Sequence, residues 1–351
     1  MSLEETRTVM LSTGHGAEPE PVVVPLRVGN VKLGNLLGEG AGGAVFTGFD
    51  EILNRQVAVK LLHRRRGAAI SDSAMVELDR GLRAAAGVRH PGLLTIHAVD
   101  HAAGMPVIVM EFIDGASLRD LLAHGGKFEP ALALHVLRVA TDAVAALHEA
   151  GVVHRDLKPA NVMFDRAGNV RVCDFGLACE IDPGTFRGRA AEVGGSPLYM
   201  APEMFDGNTS PQSDVYALGI ILFEMLIGAP PFAATSISDL KICHRENEPP
   251  IWRMEREDIP EAAKEIVRRA LHKRSYLRYK TAGHLVRALD EISEPRYQAE
   301  AQRARLAELI AIRTAGPESD APSSPDATPA MTTFDLLSQR AKEKRAGRSK
   351  H

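Results

Sequence analysis

Cysteine, aromatic residues and net charge are all scarce in this chain. Among 351 residues there are three cysteines, one tryptophan and five tyrosines, and the formal charge is −3. Cys173, Cys179 and Cys243 are odd in number and not spaced as metal-binding pairs. That argues against a disulfide framework or a zinc site and fits a reduced, cytoplasmic setting. The near-neutral balance offers no footprint for nucleic acid. No apolar run approaches the ~20 residues that cross a bilayer, so no membrane span is expected. The opening stretch MSLEETRTVMLSTGHG is polar and acidic at its start, unlike a secretory signal. What is left is a globular chain with material for a sizeable core.

Periodicity divides it. Residues 1–28 show no period and read as a flexible segment. From 29 to about 110, short alternating runs predict a small antiparallel sheet with one main helix, MVELDRGLRAAAG, whose apolar positions are Met75, Leu78, Leu82 and Ala85. From about 114 to 294 the 3.6-residue period dominates. LALHVLRVATDAVAALHEAG (132–151) is a helix stopped by Gly151, and VYALGIILFEMLIG (215–228) is apolar all round, as a buried helix is. Residues 295–315 predict one more helix. Residues 316–351 hold Pro, Ser, Ala and Asp and then a basic end, and read as a disordered, solvated tail.

The chemistry sits in a few short stretches. LGEGAGGAVFTGFDEILNRQVAVKLL carries G-x-G-x-x-G at Gly38, Gly40 and Gly43. Strands follow it rather than a helix, and no G-K-[ST] is present, so neither a dinucleotide fold nor a Walker loop fits. A hairpin tip without side chains can present backbone N–H groups to phosphate, with Lys60 on the next strand. GVVHRDLKPANVMF places Asp156 and Asn161 five residues apart with Lys158 between them. A carboxylate there can accept a hydroxyl proton, an amide oxygen can ligate a hard cation, and the ammonium can offset phosphoryl charge. VRVCDFGLA adds Asp174, and GSPLYMAPE and SDVYALG follow.

Gly38-x-Gly40-x-x-Gly43-x-Val45, VAVK, HRDLKPAN, DFG and APE, in this order and spacing, resemble the eukaryotic-type protein kinases, of the Ser/Thr kind also found in bacteria. The similarity runs from about Val31 to Ile292. It implies an α+β, two-lobed fold over 29–294: a small sheet lobe (about 29–110) and a larger helical lobe (about 114–294). It also implies ATP as co-substrate with Mg²⁺, and protein Ser/Thr hydroxyls as acceptors. By resemblance, Gly38, Gly40 and Gly43 would cover the phosphates and Lys60 would hold them. Leu37, Val45, Ala58 and Met163 would enclose adenine, with backbone at Glu111 and Ile113 bonding its edge. Asp156 would be the base, assisted by Lys158, and Asn161 and Asp174 would hold the metal. Glu203 and Arg278 match the family's buried ion pair.

Two positions depart from the pattern. The family's small-lobe helix carries a glutamate that pairs with the strand lysine, nine residues before the histidine matched by His90; here that position is Gly81. Glu77 lies one turn earlier, ~5–6 Å along the axis, and side chains lean further toward the N-terminus. Asp79 points to another face. Glu77 would serve only if the helix shifted by about a turn or the small lobe were remodelled, and restoring an acid at Gly81 should favour both helix and turnover. The missing glutamate also sustains an alternative: a pseudokinase that binds nucleotide with weak transfer. The second departure is Glu192, which stands where the family often has a phosphorylated threonine and would pair with Arg155.

Overall fold

The computed structural model describes residues 6–11, 20–40, 43–62, 72–102, 105–180, 188–189, 196–292 and 297–315. The expected role of Glu192 and the tail from 316 lie outside the described residues.

The first departure from expectation is at the N-terminus. Instead of an unstructured segment, β1 (Thr6–Leu11) and β2 (Glu20–Pro25) pair as an antiparallel hairpin. EPVVVP, bounded by prolines, suits an edge strand. Val24 is fully buried, and the Arg7 guanidinium bonds the Gly34 carbonyl and lies 5.7 Å from the Phe46 ring centre. The alternation was too short to register as a period.

The small lobe is a six-stranded antiparallel sheet. Its members are β3 (Arg27–Val28), β4 (Val31–Gly40), β5 (Gly43–Asp50), β6 (Arg55–Leu61), β7 (Ile96–Ala102) and β8 (Met105–Glu111), in the order β3-β4-β5-β6-β8-β7. Its main helix is α1 (Asp72–Gly87). Register assigns the faces. Val45 pairs with Lys60, and Ala58 with Met110, so these four share one face. Phe46, Val57, Val59, Val107 and Val109 take the other and form the lobe's own core.

The large lobe begins after β8. A three-stranded sheet joins β9 (Gly115–Ser117), β11 (Val162–Asp165) and β12 (Val170–Val172). Around it stand α2 (Leu118–Gly125), α3 (Pro130–Glu149), α4 (Pro211–Ile227), α5 (Ile237–Glu246), α6 (Glu261–Ala270), α7 (Ala282–Ile292) and α8 (Tyr297–Ala315). Short bridges complete it: β10 (Val152–Val153) with β13 (Cys179–Glu180), and β14 (Gly188–Arg189) with β15 (Asn208–Thr209). α4 is buried nearly all round and packs on α3, α6 and α7. The expectation that no stretch is long enough for a membrane needs one correction. Among the described helices α3 has the length and hydropathy of a span, and its side chains are mostly buried inside the protein. Apolarity here reflects a central core position.

α8 is part of the lobe. Leu306 and Ile310 are buried, Arg313 pairs with Asp120 of α2 at 3.0 Å, and the helix also touches α3, β9 and β11. Gly168, in the β11–β12 turn, sits at φ +78°, and a Cβ there would stand 2.1 Å from the Arg303 carbonyl oxygen. Gly126, at φ +74°, has open space around it. Gly168→Ala should therefore cost more than Gly126→Ala, which meets only the ~1–3 kcal/mol of an unfavourable positive-φ backbone. Urea unfolding of the two variants measures the difference, which is the loss of α8 docking.

Candidate active site

The site is built outward from a buried acid on α4. Asp214 is essentially inaccessible. Its carboxylate accepts the backbone N–H of His154 at 2.8 Å and of Arg155 at 2.9 Å, and the Nε2–H of His148 at 2.9 Å. The His148 tautomer follows from its other nitrogen, which accepts the Ala282 N–H at 3.1 Å. Burial alone would raise the Asp214 carboxyl, but the His148 hydrogen bond holds it below the ordinary value. His154 is fixed by the same logic. Its Nδ1 accepts the Asp156 N–H at 3.3 Å, so Nε2–H donates to the Cys173 carbonyl at 3.0 Å. Arg155 is thereby held at φ +69°, a strained conformation for a residue with a side chain.

That turn delivers Asp156. The carboxylate is buried and accepts from Lys158 Nζ at 2.6 Å, Asn161 Nδ2 at 3.2 Å and Ser196 Oγ at 3.1 Å. Asn161 Nδ2 also donates to the Asp156 carbonyl at 2.7 Å. With its amide hydrogens engaged on Asp156, the Asn161 amide oxygen is the atom left for a ligand.

Asp174 follows β12 and also stands at φ +69°. It forms an ion pair with Lys60, itself buried on the sheet face shared with Val45, Ala58 and Met110. This face therefore looks toward the large lobe. Burial would raise the Asp174 carboxyl, yet Lys60, with Lys158 nearby, holds it at about 2, so it is ionised at neutral pH. Asp174 and Asn161 supply a carboxylate and an amide oxygen, a donor set suited to Mg²⁺, which keeps water and substrate phosphate for its other positions. No cluster of three His, Cys, Asp or Glu side chains that could hold a metal occurs among the described residues.

The remaining expected residues lie on the following elements. Gly38 and Gly40 lie on β4 and Gly43 opens β5; Gly40 pairs with Gly43 to close the hairpin tip. Leu37 is exposed on β4, Val45 half-buried on β5, Ala58 buried on β6 and Met163 half-buried on β11. Glu111 ends β8; its N–H donates to the Thr95 carbonyl at 2.9 Å and its carboxylate accepts the Thr95 N–H, and half-buried Ile113 follows. Arg278, inaccessible, makes two bonds to Glu203, at 2.7 and 3.0 Å, and donates to three backbone carbonyls.

One expectation is corrected. The register that puts Gly81 at the glutamate position stands beside a structural reason for glycine. A Cβ on Gly81 would lie 1.9 Å from the Ala178 carbonyl oxygen, so an acid there would disrupt the packing of α1. Lys60 finds its carboxylate in Asp174 instead. Sequence reasoning passed over Asp214, His148 and His154, and noted Ser196 only in passing. SDVYALG and HRD were visible, but their contact spans about 60 residues of chain.

A protein kinase domain model matches residues 31–288. The chain belongs to the protein kinase family. It is similar to the serine/threonine-protein kinase PknB of Mycobacterium tuberculosis, 33% identical over 301 residues, 82% of this chain and 48% of that protein. It is similar also to the serine/threonine-protein kinase PrkC of Bacillus subtilis, 32% identical over 255 residues, 72% of this chain and 39% of that one. The chain thus spans less than half the length of these curated relatives. For a protein kinase fold, the HRD-to-α4 tie is a point of failure that can be tested. Asp214→Asn substitutes an amide for a carboxylate that accepts three bonds, and each weakened or lost partner of a buried group costs roughly 1–3 kcal/mol. The expected outcome is a lower unfolding midpoint together with lower ATP turnover.

Proposed function

We propose that the chain is a serine/threonine protein kinase that transfers the γ-phosphate of ATP to protein Ser/Thr hydroxyls. The observation that carries this reading is the bond from Ser196 Oγ to Asp156 Oδ1 at 3.1 Å. The carboxylate already holds a serine hydroxyl as it would hold an acceptor's. In that role Asp156 takes the hydroxyl proton as the oxygen attacks the γ-phosphorus, and the bond from that phosphorus to the β–γ bridging oxygen breaks to release ADP. Lys158, beside it, offsets the charge on the phosphoryl oxygens. Lys60 exchanges the Asp174 carboxylate for phosphate oxygens, under the backbone of Gly38, Gly40 and Gly43. Leu37, Val45, Ala58 and Met163 enclose the base, and backbone at Glu111 and Ile113 reads its edge. Asn161 and Asp174 would hold Mg²⁺, which when bound neutralises phosphate charge.

A nucleotide-binding module without transfer has no use for Asp156 and Lys158 assembled beside a hydroxyl, which favours the enzyme over that alternative. Arg155 Nε is buried and has no hydrogen-bond partner among the described residues. Glu192 is our candidate for it, in place of a phosphate. The free thiols of Cys173, Cys179 and Cys243 suit a cytoplasmic setting.

Transfer from labelled ATP to Ser/Thr peptides tests the reading. Asp156→Ala should lower kcat by about 10²–10⁴-fold with little change in ATP affinity. Wild-type rates in that variant would contradict the assignment. Asp174→Ala should abolish transfer and remove the Mg²⁺ dependence of ATP binding; unchanged turnover there would remove the metal assignment.

A further inference from the structure

α1 meets the segment after Asp174 in a way no motif anticipates. The ideal Cβ of Gly81 falls 1.9 Å from the Ala178 carbonyl oxygen, 2.8 Å from its carbonyl carbon and 3.1 Å from the Cys179 Cα. All three are backbone atoms, unable to swing aside as a side chain would. Helix and chain are therefore in backbone contact at this point. β13, which starts at Cys179, pairs with β10: Val152 opposite Glu180 and Val153 opposite Cys179. β10 leads directly into His154 and Asp156. Flanking the contact, Arg80 pairs with Glu180, and Leu82 and Ala85 of α1 are buried. The carboxylate bonded to Lys60 is Asp174, four residues before Ala178.

We propose that Gly81 is a positioning residue for transfer. Its missing side chain lets α1 seat directly on the Ala178–Cys179 backbone. That contact fixes residues 174–180, so Asp174 and Lys60 meet without a helix carboxylate. Elsewhere in the family an ion pair couples this helix to the strand lysine; here close packing against β13 couples it to the other half of the site. An interior glycine costs a helix roughly 1 kcal/mol, and the packing it permits offsets that. The inference rests on the kinase reading above, since it assigns Gly81 a part in the same reaction.

Substitution separates this from a simple helix effect. On propensity alone Gly81→Ala would stabilise α1 by about 1 kcal/mol and leave catalysis alone. The proposal expects the reverse: kcat reduced by about tenfold or more, with KM for ATP within about threefold. Gly81→Glu should fare no better, and Glu77→Ala should match the unsubstituted chain. Turnover at or above the wild-type level in Gly81→Ala or Gly81→Glu would overturn the proposal, as would loss of transfer in Glu77→Ala. Should the glycine variants fail to fold, hydrogen exchange on the unsubstituted chain decides. The amides of α1 around Gly81 and those of Cys179 and Glu180 should lose protection together. Opening of α1 while β13 stays protected would overturn the contact. If the unsubstituted chain transfers no phosphate, the kinase reading fails, and the exchange measurement still judges the packing.

Discussion

The buried carboxylate of Asp214 is the constraint on which the turn that carries Asp156 depends. Among the described residues no lysine or arginine forms an ion pair with it. It is satisfied by two backbone N–H groups and one imidazole, all within 3 Å. Directed donors of that kind stabilise an ionised acid in a dry interior and fix geometry better than a mobile counter-ion would. The strained turn at Arg155 persists because Asp214 over-determines it. α4 can serve as the anchor because it is enclosed on all sides and held by α3, α6 and α7. The Glu203–Arg278 pair repeats the design nearby. The buried guanidinium bonds one carboxylate and three backbone carbonyls, which ties the segment after Ser196 to the same helix.

From that anchor the site extends to the small lobe through a polar contact near the lysine and a packing contact that the Arg80–Glu180 ion pair flanks. The polar contact is Lys60 with Asp174; the packing contact is α1 on β13. They act on the two ends of one short stretch, residues 174–180. In the free chain Lys60 and Asp174 neutralise each other, so neither charge is left unpaired in a buried place, where the cost would be large. Phosphate and a cation together can replace both partners at once. An ammonium without a helix acid is thus compatible with a working site, provided the stretch that carries Asp174 is held by other means.

Much of this was legible. Two lobes, the buried character of α4 and the helix at 295–315 follow from local periods, because each is encoded within a few consecutive residues; the roles expected of the ATP-site residues rest on resemblance alone. Glu203 and Arg278 lie 75 residues apart and were found only through resemblance. What stayed hidden has one physical cause: contacts between distant segments leave no period. Asp214 beneath HRD, Arg303 against Gly168 and Ala178 against Gly81 are of that kind. Gly81 shows it most plainly. As a letter it marks a missing acid; in space it marks a backbone too near to admit any side chain. The hairpin of β1 and β2 was missed for a different reason, since two strands of six residues are too short to stand out from a polar terminus.

The decisive measurement is the chemical identity of the phosphorylated product. A mixture of proteins is incubated with the chain, Mg²⁺ and ATP labelled at the γ-phosphate, and the acceptor residues are then determined by mass spectrometry. The account predicts label on serine and threonine side chains, none on tyrosine, and no such label when Asp156 is replaced by asparagine. Label recovered only as inorganic phosphate, or on tyrosine, or undiminished in the Asp156→Asn chain, would contradict it.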